Sequence, residues 1–297
     1  MVPDGARDPK VTTPVPEERE RPARRFRLVH CIVACVGLVV LGGIGVALSE
    51  MRTSALQSRW LSHIAAELSW EVAPGPPPEI VFPPEGPYDV RLGYSRVPAM
   101  VDAAGSRGFV VIEQARVSAR FREVVTERGL LPVYSEKTRA GLAIRDREGS
   151  VLSEVVLPAR VFQSFEEIPP VVWSTLLFIE NRSLLSESQP RKNPAVEWPR
   201  LFLSATELGL RFVGREGNVP GASTLATQIE KFRHSPEGLT SSPRDKLLQM
   251  ASASLRAYQR GPITIEARRR IVLDYLNSVP LAAQRGEGEI SGIGDGL

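Results

Sequence analysis

In the stretch "VVWSTLLFIENRSLL", Trp173, Leu177, Glu180 and Leu184 fall on one stripe by i, i+4, i+7 and i+11 spacing, so an acid stands where an apolar residue is expected. A carboxylate in apolar surroundings is costly unless paired, and desolvation raises its pKa toward the range useful for proton transfer. Glu180 is therefore a candidate general base, or else one half of a structural ion pair with Arg182 or a more distant arginine. A second set lies in "PGASTLATQIEKFRHSPEG", residues 220 to 238. A helix starting near Ser223 buries Leu225, Ile229 and Phe232 and aligns Thr224, Gln228 and Lys231 on another face. Gly221 and Ala222 permit close approach to its N-terminus, where free N–H groups and the Ser223 hydroxyl favour a phosphate or another anion. An ordinary amphipathic helix with a polar stripe is the competing reading.

The elements that must carry these residues are helical from about Pro158 onward. Pro169 and Pro170 suit a helix start. After "SSPRDK", Ser242 can cap a helix with Pro243 at its first position; Leu247, Ala251, Leu255 and Tyr258 form its inward face, with Lys246 and Gln249 off that face. A further helix, "TIEARRRIVLDYLNSVPL" from Thr264, buries Ile271, Val272, Tyr275 and Leu276, and its early arginines, Arg270 among them, read as a solvated basic face.

Ahead of these helices, residues 28 to 48 form an apolar run long enough to cross a bilayer, preceded by Arg21, Arg24, Arg25 and Arg27. The positive-inside bias leaves the tail, 1 to 27, in the cytoplasm and the remainder outside. A cleaved signal peptide is the alternative, with Ala47-Leu48-Ser49 as small residues at suitable spacing. Both cysteines, Cys31 and Cys35, lie inside the span, so the rest of the chain has no disulfide framework and no cysteine metal site. Residues 49 to 72 carry Leu56, Trp60, Ile64 and Leu68 at four-residue spacing, a helix at the membrane surface or in ordinary packing. The proline-rich connector Pro74 to Pro87 closes this 49–87 region. In a small mixed α/β segment, 88–157, "GFVVIEQ" at 108 to 114 reads as a strand and 141 to 156 as a hairpin turning at Asp146 to Gly149. With a net charge of +3 and no dense basic stripe, nucleic acid is not expected as a partner.

The order of elements over about 158–297 resembles the family 51 peptidoglycan glycosyltransferases, the polymerase module of class A penicillin-binding proteins and of monofunctional wall polymerases. The family's second motif, Gly-Gly-Ser-Thr-Ile-Thr-Gln-Gln with a following Lys, Ser-Pro-Glu and Thr, is met by "GASTLATQIEK", "SPE" and Thr240. Its fourth motif appears as "RIVLDYLN", Arg270 to Asn277. The resemblance implies a mainly α, lysozyme-like domain behind the transmembrane helix and the α/β segment. It also implies a lipid II substrate extended into a glycan strand at the outer face of the inner membrane. It places Glu180 as the base that deprotonates the acceptor 4-hydroxyl for inverting attack on the donor. Ser223, Thr224, Gln228 and Lys231 would contact donor sugar and pyrophosphate, Lys246 would neutralise the leaving group, and Arg270 would join the substrate-binding positions. The resemblance leaves room for a divalent cation beside the pyrophosphate, calls for no other cofactor, and admits other wall-synthesis proteins as partners.

The chain departs from the family pattern at Asn181 for Asp, Leu184 for an aromatic, Phe232 for Asn, Asp245 for Arg, Gln249 for a second Glu and Leu273 for Glu. The Gln249 amide would then hydrogen-bond substrate where the acid would hold a cation. Beyond "GIGDGL" the family's fifth motif would continue, which implies a truncated domain. Three outcomes follow from these departures: a divergent active polymerase, a non-catalytic relative that binds lipid-linked precursor or a wall-synthesis partner, and, as a third reading, a lytic enzyme of related fold.

Overall fold

The computed structural model describes residues 21–76, 86–212, 221, 223–284 and 288–296, and the chain divides into Met1–Ser49 and Glu50–Leu297. The helix α1 (Arg21–Thr53) enters from the first unit. Its apolar part, His30–Thr53, is 24 residues long with none of its most apolar stretch buried, which suits a membrane span by length and composition. The expected span, 28 to 48, lies inside this helix, which continues five residues further than the apolar run.

The second unit begins where Ser54 adopts φ 52 and the Glu50 carboxylate accepts the Leu56 and Gln57 N–H groups at 2.8 Å each, capping α2 (Ala55–Glu67). The buried face of α2 is Ser58, Leu61 and Ala65. Leu56 and Trp60, expected on one stripe with Ile64 and Leu68, are exposed. Four-residue spacing advances about 40° around a helix at each step, so the stripe runs off the core and only its Ile64 and Leu68 end packs with Phe121, Leu255 and Tyr258.

The expected helix to residue 72 gives way to β1 (Trp70–Pro74), and α3 (Pro87–Arg91) and α4 (Val97–Gly105) follow. The strand expected at 108 starts instead at β2 (Glu113–Val117), which pairs antiparallel with β1, Trp70 opposite Val117 and Pro74 opposite Glu113. Gly108, at φ 84, turns the chain out of α4, and Phe109 and Val110 are exposed. After the short helix α5 (Ala119–Arg122) and a π-turn, β3 (Ala140–Arg145) and β4 (Val151–Leu157) form the expected hairpin. Its turn is closed by Ser150 N–H on Asp146 Oδ1 at 2.7 Å and by Gly149 at φ 88.

The helices α6 (Pro170–Glu180), α7 (Trp198–Phe212), α8 (Leu225–His234), α9 (Pro243–Ala257) and α10 (Ile265–Ser278) form the bulk, so the fold is mainly α. Leu177, Leu225, Ile229, Ala253, Ile271, Val272 and Leu276 make their common core. Ser242 caps α9 as expected, its Oγ accepting from Asp245 N–H at 3.1 Å. Two inward faces differ from expectation. In α9, Leu247 is exposed and Gln249 buried, the same four-step drift as in α2. In α10, Arg268 is buried rather than solvated: its guanidinium donates to the carbonyls of Leu184, Ser186, Gln189 and Lys192, the second at 2.9 Å, and so closes the loop after α6. The chain continues through the hairpin β5 (Pro280–Gln284) and β6 (Gly288–Ser291) to α11 (Ile293–Gly296). There the Asp295 carboxylate accepts the N–H groups of Ala159 and Arg160 at 2.6 and 2.8 Å.

Candidate active site

The helix expected to carry Glu180 onward to Leu184 stops at Glu180 itself. Asn181 is extended, its Oδ1 accepts the Ser183 N–H at 3.0 Å, and Arg200 donates to the Glu180 carbonyl at 2.8 Å. This places the Glu180 carboxylate at a helix end, half-buried. Neither nearby arginine pairs with it: Arg182 lies 3.8 Å over the Phe178 ring, and Arg200 turns its Nε to Glu197 at 2.9 Å. Asn181 donates to the same Glu197. An aspartate there would set two carboxylates together, which accounts for this departure from the family pattern.

Helix α8 links the acid to the cations. Gln228 Nε2 donates to Glu180 at 3.0 Å, and Tyr275 Oη donates to Gln228 Oε1 at 3.4 Å. One turn earlier, Thr224 and Thr227 cap α8 reciprocally, Thr224 N–H on Thr227 Oγ1 at 2.9 Å. Lys246 reaches across from α9 to donate to Ser223 Oγ at 2.6 Å and Thr227 Oγ1 at 3.5 Å. Burial, and after it the Lys231 charge, lowers the Lys246 pKa, as expected of a cationic pair without its anion.

Of the residues singled out from sequence, Glu180, Gln228, Ser223, Lys246 and Lys231 are thus brought together along one helix. Thr224 is buried and its hydroxyl serves the helix cap. Gln249 is placed elsewhere than expected: it is 1 % exposed, and its amide donates to Ser235 Oγ at 2.9 Å and Thr240 Oγ1 at 3.0 Å, so it ties α9 to the turn after α8. Arg270 also stands apart, 3.7 Å from Asp274, on the wall of a different cavity with Phe162 and Asn277. Tyr275 and Thr227 were not expected at the site. Tyr275 reads from sequence as core because its aromatic ring falls on the apolar face of α10; in the structure it is partly buried against that core.

Among the described residues, no group of three or more His, Cys, Asp or Glu is placed to hold a metal ion. Around Ser223 stand the Lys246 ammonium group and the Thr227 hydroxyl, a set whose chemistry fits an anion rather than a divalent cation.

The C-terminal end of α8 is fixed by a buried ionic cluster. Glu136 lies 2.9 Å from Arg233, 2.6 Å from His234 Nε2 and 3.4 Å from Arg256. Asp89 of α3 meets His234 Nδ1 at 2.9 Å, and Glu230 meets Arg256 at 2.7 Å. A side chain at Gly86 would come within 2.0 Å of the Arg233 carbonyl, so glycine alone lets α3 approach α8 this closely.

The site thus sets the acid of α6 and the lysine of α9 at either end of one polar row on α8. The model of the Transglycosylase family matches residues 148–296. The chain belongs to that family, the family 51 glycosyltransferase domain. No curated protein and no solved structure matches it.

Proposed function

We propose that the protein is a membrane-anchored peptidoglycan glycosyltransferase that polymerises lipid II and releases polyprenyl pyrophosphate. The observation that carries this reading is the single helix α8, which holds Gln228 against the Glu180 carboxylate and Thr227 against Lys246, so that a base and a cationic anion site share one rigid element. Glu180 takes the proton of the acceptor 4-hydroxyl as its oxygen attacks the donor anomeric carbon from the face opposite the leaving group. Lys246 and Lys231 stabilise the charge that collects on the departing pyrophosphate, and Ser223 orients it. One observation favours a second reading, a relative that binds the precursor without joining it: the second carboxylate of the family is Gln249, buried and hydrogen-bonded. Purified full-length protein in detergent is expected to convert lipid II into glycan chains resolved on a gel. Lipid II binding without any chain product supports the second reading and overturns the first.

The proposed orientation keeps the arginine-rich tail in the cytoplasm and the catalytic unit outside. A reporter that matures only outside the cytoplasm, fused after residue 100, is expected to be active. Activity of a cytoplasm-only reporter at that position reverses the orientation.

A further inference from the structure

The proposed mechanism uses Gln228 to hold the base, and an amide can present either of two chemically opposite ends. With its N–H toward Glu180, Gln228 supports the carboxylate; rotated by half a turn, its carbonyl would repel it. The carboxylate charge favours the first state, and a donor partner on the far side of the amide adds to that preference. Tyr275 is that partner: its hydroxyl donates to Gln228 Oε1 at 3.4 Å, and the carbonyl so engaged points away from Glu180. Burial, and after it the Glu180 charge, raises the Tyr275 pKa, so the hydroxyl keeps the proton it donates. The Tyr275 ring is set in turn by Phe232, whose centroid lies 6.0 Å away in an edge-on arrangement. Phe232 is a position where this chain departs from the family pattern, and Tyr275 stands four residues from Ile271 on the packed face of α10.

We propose that Tyr275, braced by Phe232, is a positioning residue that locks the Gln228 amide with its N–H toward Glu180, an inference that rests on the glycosyl-transfer reading above. Tyr275 touches neither substrate nor the reacting atoms and acts only through Gln228. Its loss is therefore felt in turnover, and it disappears when Gln228 can no longer hydrogen-bond.

The test is a double-mutant cycle on lipid II polymerisation by the full chain, with Tyr275→Phe, Gln228→Met and the pair, and a thermal melt of each. Tyr275→Phe keeps the ring against Phe232 and is expected to melt with the parent. Its kcat should fall about fivefold with KM within about twofold, the scale of one hydrogen bond, and the double variant should be no slower than Gln228→Met alone. An active parent whose kcat is unchanged by Tyr275→Phe overturns the proposal while the functional reading stands. So does a double variant in which the two losses multiply, or a Tyr275→Phe effect confined to KM. A parent that makes no glycan overturns the functional reading, and the proposal with it.

Discussion

Replacing Glu180 with glutamine is expected to cut glycan synthesis by about a hundredfold or more while lipid II binding persists. The substitution keeps the shape of the side chain and leaves an oxygen to accept from Gln228 Nε2, so the end of α6 and its contact with α8 are retained. What is removed is the capacity to take a proton. Binding should survive because the proposed pyrophosphate site, Ser223 with Lys246, draws on groups other than the carboxylate. The measurement pairs chain elongation with lipid II binding on the same preparation. Full polymerisation by Glu180→Gln dismisses the residue as base, and loss of binding in parallel with loss of rate shows that it holds substrate instead.

The second large effect is one of stability. Glu136→Gln is expected to destabilise the second unit by about 3–5 kcal/mol, because three cations, Arg233, His234 and Arg256, then share a buried space without their central anion. The cluster also sets a pH dependence with a definite sign. Burial opposes charge on His234, but Glu136 and then the Asp89 hydrogen bond outweigh it and raise its pKa from 6.5 to about 9. A histidine whose folded pKa lies above its unfolded value contributes stability that is full below about pH 6.5 and is lost as pH rises through about 9. Burial likewise opposes ionisation of Glu136, and the charges of His234, Arg256 and Arg233 hold its pKa well below the usual range. Its contribution is present above the unfolded value of 4.5 and is lost as pH falls. Urea unfolding across pH 5 to 10 should therefore show stability declining from about pH 6.5 upward, and His234→Gln should be less stable and lack that decline. A His234→Gln variant that retains the same slope assigns it to other groups.

Much of the site is legible in the sequence because it depends on local spacing. Gln228 and Lys231 share a helical face and Ser242 caps α9, each following from residues within a few turns of one another, whereas the stripe read through Glu180 to Leu184 is cut short because the helix ends at Glu180. What is not legible depends on contacts between distant segments. Gln249 and Arg268 are polar residues that spacing assigns to solvent, yet both are buried because hydroxyls of Ser235 and Thr240, and carbonyls of the loop from Leu184 to Lys192, come from elsewhere to satisfy them. Strand β1 escapes notice for a related reason: Trp70–Pro74 has too little alternation of its own, and only the pairing with Glu113–Val117 makes it a strand. Strict four-residue stripes mislead in both α2 and α9, since a helix of 3.6 residues per turn carries such a row off the core within three steps.

The clasp of Asp295 on the backbone of Ala159 and Arg160 bears on how the helical unit is closed. The strand that feeds into the helices and the segment that leaves them meet at one corner, joined by two short hydrogen bonds and by Gly294, where any side chain would come within 2.4 Å of the Arg160 carbonyl. Because both hydrogen bonds on the Ala159 and Arg160 side come from backbone atoms, the closure is set by Asp295 and Gly294 rather than by the side chains there.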